Sequence, residues 1–216
     1  MHMLQSFILG SVANWAFGNH DNWRIATKVN SGKVDLINML NLALPGIAFT
    51  YYGEEIGMTN NINISFTQNQ DPLGCKCGNL HFLECSRDLQ RTPMQWSNLE
   101  NSDFSSTNQT WLPINSNYLE INVESQDEQE SSHFSIFKKI NELRNVLPAF
   151  KNGRVLVRTE NNVLMLQRSC VEPFREKLLI FLNFNNFKTK VYLFDATTVG
   201  KVIFTTLLQN SEFPIG

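Results

Sequence analysis

Residues 44–58 read Leu44-Pro45-Gly46-Ile47-Ala48-Phe49-Thr50-Tyr51-Tyr52-Gly53-Glu54-Glu55-Ile56-Gly57-Met58, and their reading decides the fold class. Ile47 to Tyr52 is rich in β-branched and aromatic residues and is bounded by Gly46 and Gly53, which predicts a buried strand. Upstream, Val34, Ile37, Leu40 and Leu44 recur at spacings of three and four. That period predicts an amphipathic helix, opened by Ser31-Gly32 and stopped by Pro45-Gly46. Earlier still, Ala13 to Phe17 reads as a short strand running into a polar loop, Gly18-Asn19-His20-Asp21-Asn22. Strand, loop, helix, strand is the order of a parallel α/β arrangement.

Downstream, residues 59–118 are rich in Asn, Ser, Gln and Gly, with little periodicity. A segment of that length exceeds an ordinary connection in a compact domain and reads as a functional loop or inserted element. Ser132 stands where it can cap a helix whose Phe134, Phe137, Ile140, Leu143 and Leu147 line one face and which Pro148 ends. Beyond Gly153 come short β-rich runs: Val155-Leu156-Val157, Val163 to Leu166, Leu178 to Phe184 and Lys190 to Phe194. Asn161-Asn162, Pro173 and Asn185-Asn186 punctuate them, which predicts a small antiparallel sheet domain. The expected boundary lies near Lys151 to Gly153, dividing residues 1–150 from residues 151–216.

Of the 216 residues 42% are hydrophobic, enough for a real core, and the net charge of −2 gives no reason to expect nucleic acid or anionic membrane as a partner. The longest apolar stretch, Leu36 to Phe49, contains Pro45-Gly46 and falls short of the roughly 18–20 residues of a membrane span. Met1 to Gln5 has no basic region followed by an apolar core, so it does not read as a signal peptide. Cys75, Cys77, Cys85 and Cys170 lack a His pair at zinc-finger spacing, and neither a metal nor any other cofactor is expected. In a secreted protein a local disulfide within the Cys75–Cys85 loop is the favoured use of these thiols. Asn63-Ile64-Ser65 and Asn108-Gln109-Thr110 are glycosylation sequons, a pattern that also arises by chance.

Three clusters carry chemistry. Gly18-Asn19-His20-Asp21 ends a presumed strand, where α/β barrels place working residues. There Asp21 can stabilise developing positive charge and His20 can donate to a substrate hydroxyl, although an Asn-His-Asp loop by itself is first of all turn chemistry. Ser86-Arg87-Asp88-Leu89-Gln90-Arg91-Thr92-Pro93-Met94-Gln95-Trp96 sets two guanidinium forks four residues apart beside an aromatic face, which suits either a polar pocket or a structural ion-pair loop. Glu54-Glu55 are neighbours at a strand end and cannot both enter one site easily, so one is structural.

In this order and register the strings resemble glycoside hydrolase family 13, in its α-glucosidase, maltase and oligo-1,6-glucosidase branch. Gly18 to Asp21 resembles the fourth conserved region, Leu44 to Met58 the strand-8 segment, and Arg87 to Trp96 the signature of the branch. Leu119-Glu120-Ile121-Asn122-Val123 with Gln126, and Leu143-Arg144 with Pro148-Ala149, are similar to the segments around the last barrel helix. The Cys75-to-Cys85 loop is most similar to that of insect maltases. The resemblance covers roughly residues 10–155 and only the general character of the tail.

That resemblance implies an α/β plus β fold: the C-terminal part of a (β/α)8 TIM barrel, its last two strand–helix units, then a small antiparallel β-sandwich. It implies retaining hydrolysis of terminal α-linked glucose from maltose, sucrose or short oligosaccharides, with two carboxylates about 5–5.5 Å apart. Asp21 matches the third carboxylate, which stabilises the transition state. His20 matches a substrate hydrogen-bond donor, Arg87 the arginine closing over the nonreducing sugar, and Arg91 its neighbour. The nucleophile and the acid/base have no counterpart in these residues, so expressed alone they are expected to be inactive and poorly soluble. The full-length protein is expected to be extracellular or membrane-anchored. An extracellular heavy chain of an amino-acid transporter, with the same barrel and no required catalysis, is the alternative; retention of His20, Asp21, Arg87 and Arg91 favours the enzyme over it. A free-standing binding module is a third reading. Sequence upstream of Met1 discriminates among them.

Overall fold

The computed structural model of the protein describes residues 12–29, 31–107, 109–170 and 176–190. β1 (Asn14–Ala16) leads through the polar loop and the single turn α1 (Ile25–Lys28) into α2 (Ser31–Ala43), which returns to β2 (Ile47–Phe49). The strands pair in parallel, with Trp15 opposite Ala48. Such a pairing requires a crossover, and α2 supplies it.

α2 is covered on more than the stripe that its Val34-Ile37-Leu40-Leu44 spacing predicts. Val34, Leu36, Met39, Leu42 and Ala43 are all buried, and so are Asp35, Asn38 and Asn41. Each of these polar side chains reaches a partner inside the fold, as its burial favours, although Asn41 Oδ1 stays without one. Asn38 Nδ2 donates to Glu54 O (2.9 Å), Asn41 Nδ2 to Phe49 O (2.8 Å), and Asp35 Oδ1 meets His133 Nδ1 at 2.7 Å. β2 stops at Phe49 instead of running to Tyr52. Gly53, at φ 85°, turns the backbone through the left-handed region that side-chain-bearing residues avoid, and a 3-10 turn follows at Glu54–Ile56.

The long segment 59–118 contains α3 (Pro72–Cys77), α4 (Phe82–Cys85) and several 3-10 turns. Asparagine side chains stand in for a backbone ladder: Asn61 Nδ2 donates to Pro113 O at 3.3 Å, while Asn115 Nδ2 donates to Asn60 O at 3.3 Å and Asn117 Nδ2 to Thr59 Oγ1 at 2.9 Å. A disulfide joins Cys77 to Cys85, leaving Cys75 and Cys170 as free thiols. Asn63 is exposed in a turn, whereas Asn108 of the second sequon lies outside the described residues.

α5 (Val123–Asp127) begins at Asn122, whose Oδ1 accepts from Ser125 N–H at 2.8 Å. Ser132 does cap α6 (His133–Val146), in a reciprocal box with Ser135. Pro148 does more than end that helix. It occupies the first position of α7 (Pro148–Asn152), where a missing N–H is harmless. β3 (Arg154–Glu160), β4 (Val163–Ser169) and β5 (Lys177–Asn183) form an antiparallel meander in which Val157 faces Leu166 and Leu166 faces Ile180. Asn161 and Asn162 take φ 49° and 60°, the pair of positive values a two-residue hairpin wants, and Asn tolerates them best after Gly. The predicted run Lys190 to Phe194 lies almost wholly outside the described residues, and among those residues the meander is a single layer.

One core spans the predicted boundary at Lys151 to Gly153. Leu36, Met39, Leu42 and Ala43 of α2, Ile140 of α6 and Phe150 of α7 pack with Leu166, Ile180 and Leu182 of the meander. Arg144 closes the C-terminal end of α2, donating to Leu44 O (2.9 Å), Gly46 O (2.6 Å) and Leu42 O.

Candidate active site

The loop after β1 is shaped by Asn19, whose Oδ1 accepts from the N–H groups of Asp21 (2.9 Å) and Asn22 (3.0 Å). This local turn holds the Asp21 carboxylate half exposed. Gly18 is required by close approach: a Cβ there would sit 1.9 Å from Glu54 Oε1. The first residue of the Gly-Asn-His-Asp string is therefore set by the strand-end glutamate behind it.

All four residues singled out by the sequence meet here. Arg87 Nη1 (3.2 Å) and Arg91 Nη2 (2.9 Å) both donate to Asp21 Oδ1. His20 Nε2 lies 3.4 Å from Asp21 Oδ2. Arg91 Nε reaches back to His20 O at 2.9 Å, and Gln90 Nε2 reaches the same carbonyl at 3.3 Å. The arginines lie 66 and 70 residues from Asp21 in sequence, so the 59–118 segment folds over the loop after β1.

Behind this surface lies a buried layer that the sequence signals only in part. Arg24, 2% exposed, has its guanidinium 4.6 Å from the ring centre of Tyr52 and 5.0 Å from that of Tyr51. It donates Nη1 to Tyr52 O at 2.6 Å. Burial pulls its pKa down, against the charges of the neighbouring tyrosines and glutamates. The two tyrosines turn inward from the strand end and donate their hydroxyls to Gln90 O (3.3 Å) and Thr92 O (2.6 Å). Glu54 and Glu55 are both raised by desolvation, Glu54 to about 7, and Glu54 Oε2 accepts from Tyr51 N–H at 3.0 Å. Neither glutamate contacts Asp21. Their paired carboxylates form part of the support beneath the site.

Asp71, which the sequence reading did not select, is fully buried and grips Arg87 with both carboxylate oxygens. Asp71-Pro72 is a helix-start signature, N-cap followed by proline, and so was legible as a cap but not as a clamp. Among the described residues no group of three or more His, Cys, Asp or Glu side chains is placed to hold a metal ion, and no helix is long and apolar enough to cross a membrane.

The family described as alpha amylase, catalytic domain, matches residues 1–153. Maltase 1 of Drosophila virilis is 45% identical over 135 residues, 62% of this chain and 21% of that protein. Salivary alpha-glucosidase of Anopheles gambiae is 39% identical over 175 residues, 81% and 29% respectively. The amino acid transporter heavy chain SLC3A1 of Rattus norvegicus is more distant, at 32% over 185 residues, 85% and 25%. Among solved structures, a trehalose-6-phosphate hydrolase of Bacillus licheniformis superposes with a TM-score of 0.72 at 27% identity, covering 86% of this chain and 36% of its own. The chain thus spans about a fifth to a third of the length of the curated relatives it matches.

Proposed function

Because the chain belongs to the alpha-amylase catalytic-domain family, we propose that it forms the C-terminal part of an α-glucosidase that removes terminal α-linked glucose with retention. In this reading β1, α2, β2 and α6 are the last two strand–helix units of a (β/α)8 barrel, and the meander opens a C-terminal β-sandwich. The nucleophile and the acid/base reside in segments of the complete enzyme outside these residues. The substrate class is small α-glucosides, and the salivary relatives support a secreted protein.

A single observation carries the reading: Asp21 Oδ1 receives both Arg87 and Arg91, the two arginines of one string. Asp21 is the carboxylate set against the positive charge that grows on the glucosyl ring in the oxocarbenium-like transition state. His20 Nε2 donates to a sugar hydroxyl. Arg87 and Arg91 hold the carboxylate in place while offering their remaining donors to the nonreducing end. None of these steps requires a cofactor.

The test is Asp21→Asn in the complete enzyme, assayed on maltose and on an aryl α-glucoside. Loss of one preorganised electrostatic partner lowers kcat by about a hundred- to a thousandfold, with the melting temperature nearly unchanged because the side chain is half exposed. Unchanged turnover would refute the role. The heavy-chain alternative predicts instead that the unmodified complete protein hydrolyses neither substrate.

A further inference from the structure

We propose that Asp71 is a positioning residue that sets the aim of Arg87, and through it the affinity of the site for the nonreducing sugar. Asp71 Oδ2 accepts from Arg87 Nε (2.9 Å) and from the Arg87 N–H (2.7 Å), and Oδ1 accepts from Nη2 (2.8 Å). The carboxylate therefore fixes the fork and the backbone of the same residue together. Two parallel bonds define the plane of a guanidinium as a single bond cannot, and here they leave Nη1 directed at Asp21 Oδ1, 3.2 Å away. Asp71 is itself fixed from behind: Asp88 Oδ2 accepts from the N–H groups of Gln70 (2.6 Å) and Asp71 (2.8 Å).

A purely structural reading makes Asp71 the N-cap of α3. That contact, Leu73 N–H to Oδ1 at 3.3 Å, is the longest the carboxylate makes and serves a helix of six residues. The three shorter contacts all go to Arg87. Arg87 in turn holds the Asp71 carboxyl well below the usual range, so the clamp stays anionic throughout the working pH range.

The two duties separate by substitution, because Asn and Ser cap helices about as well as Asp. Asp71→Asn keeps the cap, loses the charge and turns an amide N–H2 toward a guanidinium that can only donate. The inference rests on the sugar-binding role of Arg87, so two readouts are needed. In the complete enzyme, Asp71→Asn and Asp71→Ser raise KM for maltose about ten- to a hundredfold while kcat falls by less. Combining Asp71→Asn with Arg87→Lys adds little to either alone. A crystal structure of the Asp71→Asn enzyme finds Arg87 Nη1 more than 4 Å from Asp21. Arg87 held in its present place in that crystal, or a KM within twofold of the unmodified enzyme, overturns the proposal. An Arg87 that moves away from Asp21 in an enzyme without α-glucosidase activity instead sustains the clamp and refutes the assigned function.

Discussion

Arg168 Nη1 donates to the carbonyl oxygen of Ala43 at 3.0 Å, tying the middle strand of the meander to the last turn of α2. Its Nη2 donates to Phe150 O at 2.7 Å, so one side chain, 1% exposed, fastens β4 to α2 and α7 together. Both acceptors are helix-terminal carbonyls without intrahelical partners. Arg168→Met keeps much of the stem volume but leaves both carbonyls buried and unpaired. The expected cost is about 3 kcal/mol, read as a lower urea midpoint in the complete protein. Arg168→Lys restores at most one of the two bonds. A midpoint unmoved by Arg168→Met would show that the meander does not depend on this link.

Glu54 titrates differently in the folded and unfolded protein. Burial raises its pKa from 4.5 to about 7, with Arg24 and Lys28 favouring the anion and Glu55 opposing it. The folded state keeps the proton up to about pH 7, whereas the unfolded chain releases it near 4.5. Between those values the folded state binds more protons, so this group makes stability fall as pH rises. Glu54→Gln preserves an acceptor for Tyr51 N–H and abolishes the titration. Relative to the unmodified protein, the variant gains up to about 3 kcal/mol on going from pH 4.5 to 7.5. Parallel stability curves for the two proteins across that window would contradict the assignment.

Much of the architecture was legible because local signals agreed with the packing. The Ser132 cap and the Asn161-Asn162 hairpin each have a cause within a few residues. The two strings carrying His20 with Asp21 and Arg87 with Arg91 stood out for the same reason. What escaped was non-local. Nothing near Tyr51-Tyr52 announces that β2 ends at Phe49, since the rings turn in to flank Arg24 from another element. The polar residues of α2 read as a solvent face, yet Asn38 and Asn41 are buried because carbonyls of β2 and the following turn meet them. Asp71 was not singled out, because its partner stands 16 residues away and its own neighbourhood signals no more than a helix start. The 59–118 segment lacked periodicity because asparagine side chains, not ladders, hold it, and side-chain hydrogen bonding leaves no repeat to read.

The Cys77–Cys85 disulfide joins α3 to α4, and the segment made of these two helices starts just after Asp71 and ends just before Arg87. It therefore locks the far end of a hairpin whose base is closed by the Asp71–Arg87 bonds and by Ser86 Oγ donating to Asn69 Oδ1 at 2.5 Å. Alkylation of the denatured, unreduced protein should label Cys75 and Cys170 alone, with Cys77 and Cys85 reacting only after reduction; peptide mass spectrometry reads the result, and a blocked Cys75 would mean a different pairing. Closing so short a loop restricts the unfolded chain by about 2.5 kcal/mol. The double substitution Cys77→Ser with Cys85→Ser should lower the unfolding free energy by about that amount. Since the base of the hairpin keeps its own bonds, Arg87 stays aimed at Asp21, and KM should rise far less than in Asp71→Asn. A rise in KM equal to that of Asp71→Asn would move control of Arg87 from the carboxylate clamp to the covalent link.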